Sequence, residues 1–128
     1  MSRTASLFAA PLLFLVSLAP ARAAVDYARE VQPILAENCF HCHGPDQKDR
    51  KGGLRLDTRE GALKGGKSAI ASIVVGQPAD SELIARLHST DEEVIMPPPQ
   101  EKKTLTAAQK DTLRRWIAEG APYTAHWA

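Results

Sequence analysis

Residues 39–43 read Cys-Phe-His-Cys-His, and Cys39 and Cys42 are the only cysteines in the 128-residue chain. Two thiols three positions apart, followed at once by the imidazole of His43, make the pattern C-x-x-C-H, a c-type haem attachment. The spacing lets both sulfurs reach the two vinyl groups on one edge of a porphyrin and form thioethers. His43 is then placed to put an imidazole nitrogen on the iron as the proximal ligand. The expected cofactor is one covalent haem c, held at Cys39, Cys42 and His43.

Two other uses of this pentapeptide fit less well. A structural zinc knuckle draws its ligands from two separated pairs, and the chain has no second Cys/His pair at such spacing. A redox dithiol is expected beside a βαβ pattern, which the chain lacks. Free paired thiols would also tend to oxidise in an exported protein.

Export is expected from the N-terminus. Arg3 supplies a positive start, an apolar run extends from Leu7 to Ala19, and Ala21-Arg22-Ala23 has the small-x-small form of a cleavage site. The run is shorter than the roughly 20 apolar residues that span a bilayer. We therefore expect a signal peptide at 1–23, a haem domain at 24–122 and a C-terminal tail at 123–128, with a periplasmic or cell-surface location and no membrane association after cleavage. The whole chain has 16 basic and 15 acidic residues. Loss of the leader removes Arg3 and Arg22, which leaves 14 basic against 15 acidic residues. This balance gives no basis for nucleic-acid binding. A composition 44% hydrophobic and 24% charged is that of one ordinary globular domain. Large aromatics are scarce beyond the leader (Tyr27, Phe40, Trp116, Tyr123 and Trp127), so a bound group is expected to help fill the core.

The sixth position of the iron needs a ligand or stays open. Met96 is the only methionine left after leader removal and lies 53 positions after His43. Its thioether is a soft ligand, and His/Met ligation raises the potential of the iron. Pro97-Pro98-Pro99 is expected to stiffen the loop in an extended form, limiting the entropy lost on ligation.

The rest reads as helices joined by long loops. A helix is expected from Val25 to about Asn38, capped by Asp26, with a kink or fresh start at Pro33. Residues 39–53 read as loop and Leu54–Leu56 as a short extended piece. Asp57 with Glu60 resembles a capping box for a short helix ended by Gly65-Gly66. Residues 69–75 are apolar and fit either strand or buried helix. A turn at Gly76-Gln77-Pro78 precedes a helix capped by Asp80 or Ser81, running to about His88 with Leu83, Ile84 and Leu87 inward. The last helix is capped by Thr106 and Gln109, turns Leu113, Trp116 and Ile117 inward, and stops at Gly120.

Several of these stretches, in order, resemble the planctomycete-type cytochrome c domain. They are Val31-Gln32-Pro33-Ile34-Leu35, Cys39-Phe40-His41-Cys42-His43-Gly44, Gly53-Leu54-Arg55-Leu56-Asp57, Gly76-Gln77-Pro78 with Ser81-Glu82-Leu83-Ile84, Met96-Pro97-Pro98, and Trp116-Ile117-Ala118-Glu119-Gly120-Ala121-Pro122-Tyr123. The resemblance covers about residues 26–127. It implies an all-α, cytochrome c-like fold wrapped around one covalent haem, with thioethers at Cys39 and Cys42, His43 proximal and Met96 distal. In that family the domain usually opens a longer exported protein; a free-standing carrier and a module of a larger chain both stay open here.

Other side chains carry weaker expectations. Trp116 is a candidate for packing against the haem as well as for the plain core, and Arg55 for pairing with a haem propionate. His41 is expected to point to solvent, His88 to sit at a helix end and His126 to play no part. Between Lys48 and Lys67 seven basic residues face three acids, either a solvated loop or a docking face for an acidic redox partner. The leading functional expectation is a non-enzymatic electron-transfer module serving a redox partner protein, since no nucleophile–base set is apparent. The alternative is a peroxidase-like haem enzyme or sensor with a displaceable sixth ligand.

Overall fold

Asp26 opens the first helical segment, because its carboxylate accepts from the Arg29 N–H while the Glu30 carboxylate accepts from its own N–H. In the computed structural model, which describes residues 11–20 and 22–124, this segment begins as a π-helical turn, Tyr27–Val31. It passes into α1, Gln32–Asn38, at Pro33. Proline is tolerated there because the first turn of a helix needs no N–H partner. The expected cap at Asp26 and the fresh start at Pro33 are both present.

The second helix, α2 (Arg59–Lys64), is capped differently from the expectation. The Thr58 hydroxyl, not Asp57, accepts from the Gly61 N–H. A cap must have extended backbone immediately before the first helical residue, and Thr58 has it (φ −124°, ψ 143°). Asp57 is turned to Arg55 instead, with Nε–Oδ1 at 3.0 Å and Nη2–Oδ2 at 2.6 Å. Gly65 ends α2 with φ +81°, and a Cβ there would fall 2.1 Å from the Ile70 carbonyl oxygen.

Leu54 and Arg55 carry no regular structure and Leu56 is a bend, and no strand occurs among the described residues. Residues 69–75 are irregular, yet their backbone is paired: Ser72 and Ile73 both donate to the Ala62 carbonyl, and Leu83 donates to that of Ser72. Ile73 is buried by this arrangement while Ile70 and Val75 stay exposed.

A turn at Gly76 leads through a 3₁₀ turn, Pro78–Asp80, into α3, Glu82–Leu87. Ser81 holds the cap position, but its hydroxyl accepts from the Val74 N–H and donates to the Gln77 carbonyl. Pro98 is extended as expected. Pro99 is not, since it starts a second 3₁₀ turn, Pro99–Glu101. Helix α4, Ala107–Ala118, carries the complete capping box of Thr106 and Gln109.

The core forms where α4 packs on the π-helical turn, on α3 and on the Pro78–Asp80 turn. Leu113, Trp116 and Ile117 of α4 are fully buried, together with Val31 and Leu35. Each such side chain contributes about 1.5–3 kcal/mol relative to exposure. Trp116 stacks at 5.8 Å from Tyr27 and meets Tyr123 edge-on at 5.1 Å, and its Nε1–H donates to the Pro122 carbonyl. Residues 11–20 are exposed and without regular structure. No described helix is long and apolar enough to cross a membrane. Arg3 and the start of the apolar run at 7–10, Ala21 of the expected cleavage site, and His126 and Trp127 of the expected tail lie outside the described residues.

Candidate functional site

The pentapeptide 39–43 starts where α1 ends. Cys39 N–H closes the last turn on the Leu35 carbonyl, and the N–H groups of Cys42 and His43 both donate to the Cys39 carbonyl. The chain therefore coils once more through the motif, bringing both sulfurs and the His43 ring to one side. Lys51 N–H donates to the Cys42 carbonyl and Leu56 N–H to that of His43, each at 2.7 Å. Arg50 braces the following turn through the Gly44 and Pro45 carbonyls. Gly44 is required there, because a Cβ would lie 2.1 Å from the Phe40 carbonyl oxygen.

These residues form one wall of a cavity of about 380 Å³, within the range of ordinary cofactor sites. Cys39, Cys42, His43 and Met96 all line it, although Met96 comes from a distant loop. Leu54 and Leu56 follow the motif, Leu83 and Leu87 come from α3, Leu113 comes from α4, and Pro97 and Pro98 lie beside Met96; together they make the lining mostly apolar. Lys51, Lys67, Arg86 and Lys103 supply positive charge around it. Lys103 also donates to the Glu37 carbonyl near the end of α1.

Burial sets the chemistry of the donors. It pushes the Cys39 thiol up to about 12, with Lys103 opposing and Cys42 reinforcing the shift. Both cysteines are free thiols. Burial also lowers the pKa of His43, against the Lys51 and Leu54 backbone and with help from the Arg86 charge. The imidazole is thus held neutral, with a lone pair available to a metal. Its Nδ1 is buried and has no hydrogen-bond partner. The Lys51 and Leu54 backbone groups lie near the ring without meeting hydrogen-bond geometry at that atom. Buried polar nitrogens are seldom left unpaired, and the residue that carries this one lines the same cavity as Cys39, Cys42 and Met96. The residues present fit a c-type haem.

Not every candidate from the sequence comes to the cavity. Trp116 lies in the aromatic cluster with Tyr27 and Tyr123, outside the lining. Arg55 is also outside it and is committed to Asp57. His41 lines the cavity rim and is solvent-exposed, and His88 sits exposed at the end of α3. The apolar positions of α3 and α4 were visible as inward-facing. Nothing in their periodicity distinguishes Leu113, which faces the cavity, from Trp116, which faces the protein interior.

Residues 39–100 match the family model described as planctomycete cytochrome C. No curated protein and no solved structure matches the chain.

Proposed function

Starting from a chain whose residues 39–100 match the planctomycete cytochrome C family, we propose that this protein is an exported electron-transfer module carrying one haem c. One observation carries the reading. The two cysteines of C-x-x-C-H, the imidazole of His43 and the thioether-bearing Met96 all line one mostly apolar cavity. A haem bound there supplies a one-electron ferric/ferrous couple.

The residues divide the remaining work. Cys39 and Cys42 tether the group by thioethers, which holds it even in a domain with few large aromatics. His43, kept neutral by burial, serves as the proximal ligand, and Met96 as the distal one. A soft thioether favours the reduced metal. The leucines of α3, α4 and residues 54–56 exclude water. Lys51, Lys67, Arg86 and Lys103 outnumber Glu82 and Glu101 around the cavity, a net positive balance suited to a redox partner protein. The leader at 1–23 is proposed to be removed on export, leaving the domain in the periplasm or at the cell surface.

Co-expression with a cytochrome c maturation system tests this. The denatured protein is expected to keep the mass of one haem, and Met96→Ala to lose low-spin character. Bare apoprotein, under conditions that mature a control cytochrome, would overturn the reading. An unchanged spectrum in Met96→Ala would favour the alternative with an open sixth site.

A further inference from the structure

The loop that brings Met96 to the cavity is fastened at a single residue. Among the described residues, every hydrogen bond between residues 89–96 and the rest of the protein ends on Arg86 of α3. Its carbonyl accepts from Ser89 N–H where the loop leaves the helix (3.4 Å) and from Met96 N–H where the loop arrives (3.1 Å). Its guanidinium Nη1–H donates to the Val94 carbonyl at 3.3 Å. The Glu82 carboxylate, one turn earlier on α3, accepts from Arg86 Nε at 2.9 Å. Within the loop only local turns remain, with Val94 and Ile95 donating to the Asp91 carbonyl.

We propose that Arg86, oriented by Glu82, is a positioning residue that sets how firmly Met96 holds its place in the cavity. This rests on the reading of Met96 as the distal ligand.

A ligand on a loop competes with the freedom the loop regains when it leaves. Fastening both ends to one helical residue removes most of that freedom beforehand, because the closure entropy is already lost in the folded chain. The side-chain arm adds what the backbone bonds lack, a grip on the middle of the segment at Val94. The Glu82–Arg86 pair is about one-third exposed on both sides, so as an ion pair it stabilises little. Its effect is geometric: with Nε committed to Glu82, the planar fork aims Nη1 at the loop. Lysine does not reproduce this, since its ammonium is a compact charge with rotating donors and lacks the planar fork that fixes their directions. The arrangement thus bears on whether the sixth position stays closed, as a carrier needs, or opens readily to an outside ligand.

Imidazole binding to the ferric, haem-loaded full chain measures this directly, because imidazole must displace the distal ligand. Arg86→Gln keeps the backbone bonds and alters a partly exposed side chain, so the fold is expected to be retained. Its affinity for imidazole is expected to rise about fivefold, the equivalent of ~1 kcal/mol. Glu82→Leu should move in the same direction by less. Arg86→Lys should fall between Arg86→Gln and the parent, and Met96→Ala marks the fully open limit. The absorption band of thioether-ligated ferric iron should weaken in the same order. An Arg86→Gln affinity within a factor of 1.5 of the parent (approximately 0.2 kcal/mol), with the parent still far from the Met96→Ala limit, overturns the inference and leaves the distal methionine intact. A parent already at that limit overturns both.

Discussion

Gly44→Ala tests whether the coil through residues 39–44 is as tightly closed as its geometry indicates. The added Cβ would sit 2.1 Å from the Phe40 carbonyl oxygen, 3.0 Å from its carbon and 3.3 Å from its Cα. All three are backbone atoms, so no side chain can swing aside, and relief requires the chain to move by more than about 1 Å to reach an ordinary non-bonded contact. That movement acts on the bond from Leu56 N–H to the His43 carbonyl (2.7 Å) and on the two Arg50 braces. A 1 Å extension takes such bonds beyond useful length. Overpacking costs about 1–3 kcal/mol, and a lost backbone bond about 1 kcal/mol. We expect ~3 kcal/mol in all, a fall in Tm of roughly 12–24 °C for a domain near 100 residues. Gly76→Ala is the control. A Cβ at Gly76 meets nothing within 4 Å, and only its φ of +75° resists alanine, at roughly 1–2 kcal/mol. Thermal unfolding of both apo variants decides the matter. A Gly44→Ala loss no larger than that of Gly76→Ala would refute the reasoning, as would full haem attachment with an unchanged Tm.

Three further outcomes follow from the same structure. Trp116→Phe should cost about 2 kcal/mol in urea unfolding, from lost volume and the bond to the Pro122 carbonyl, while leaving the spectrum of the haem-loaded protein unchanged. A shifted spectrum would place the indole against the haem. In folded apoprotein Cys39 should alkylate on the order of 100-fold more slowly at pH 8 than in urea, because burial keeps its thiol protonated. Its rate should keep rising with pH past 10, and peptide mapping that shows equal folded and unfolded rates would contradict this. Arg55 holds the Asp57 carboxyl below its usual pKa, so the pair's contribution is present above the ordinary carboxylate range and is lost as pH falls through the lowered folded value. Urea midpoints should therefore converge between the parent and Asp57→Asn on acidification from pH 6 to pH 3, and a constant gap would count against the pairing.

Elements whose signals lie within a few residues were readable beforehand. The Asp26 cap, the restart at Pro33, the Thr106–Gln109 box and the C-x-x-C-H pentapeptide each involve groups at most five positions apart. Such features depend on local backbone geometry and are available to anyone reading the chain in order. The cap of α2 was missed because Asp57 and Thr58 are both competent acceptors, and the choice was made by Arg55, which occupies Asp57. Residues 69–75 were unreadable because their backbone partners, Ala62 and Leu83, lie outside any local window.

The linear chain determined that two thiols and an imidazole would stand together after a helix, since adjacency in sequence guarantees adjacency in space at that range. Only the tertiary structure decided what faces them. It set Leu113 in the cavity and Trp116 behind it, gave Arg55 to Asp57, and delivered Met96 from 53 positions away on a loop fastened to Arg86. Periodicity marks a side chain as inward but carries no information on which of two interiors it enters. That choice is made by the packing of α3 and α4 against elements far away in the chain.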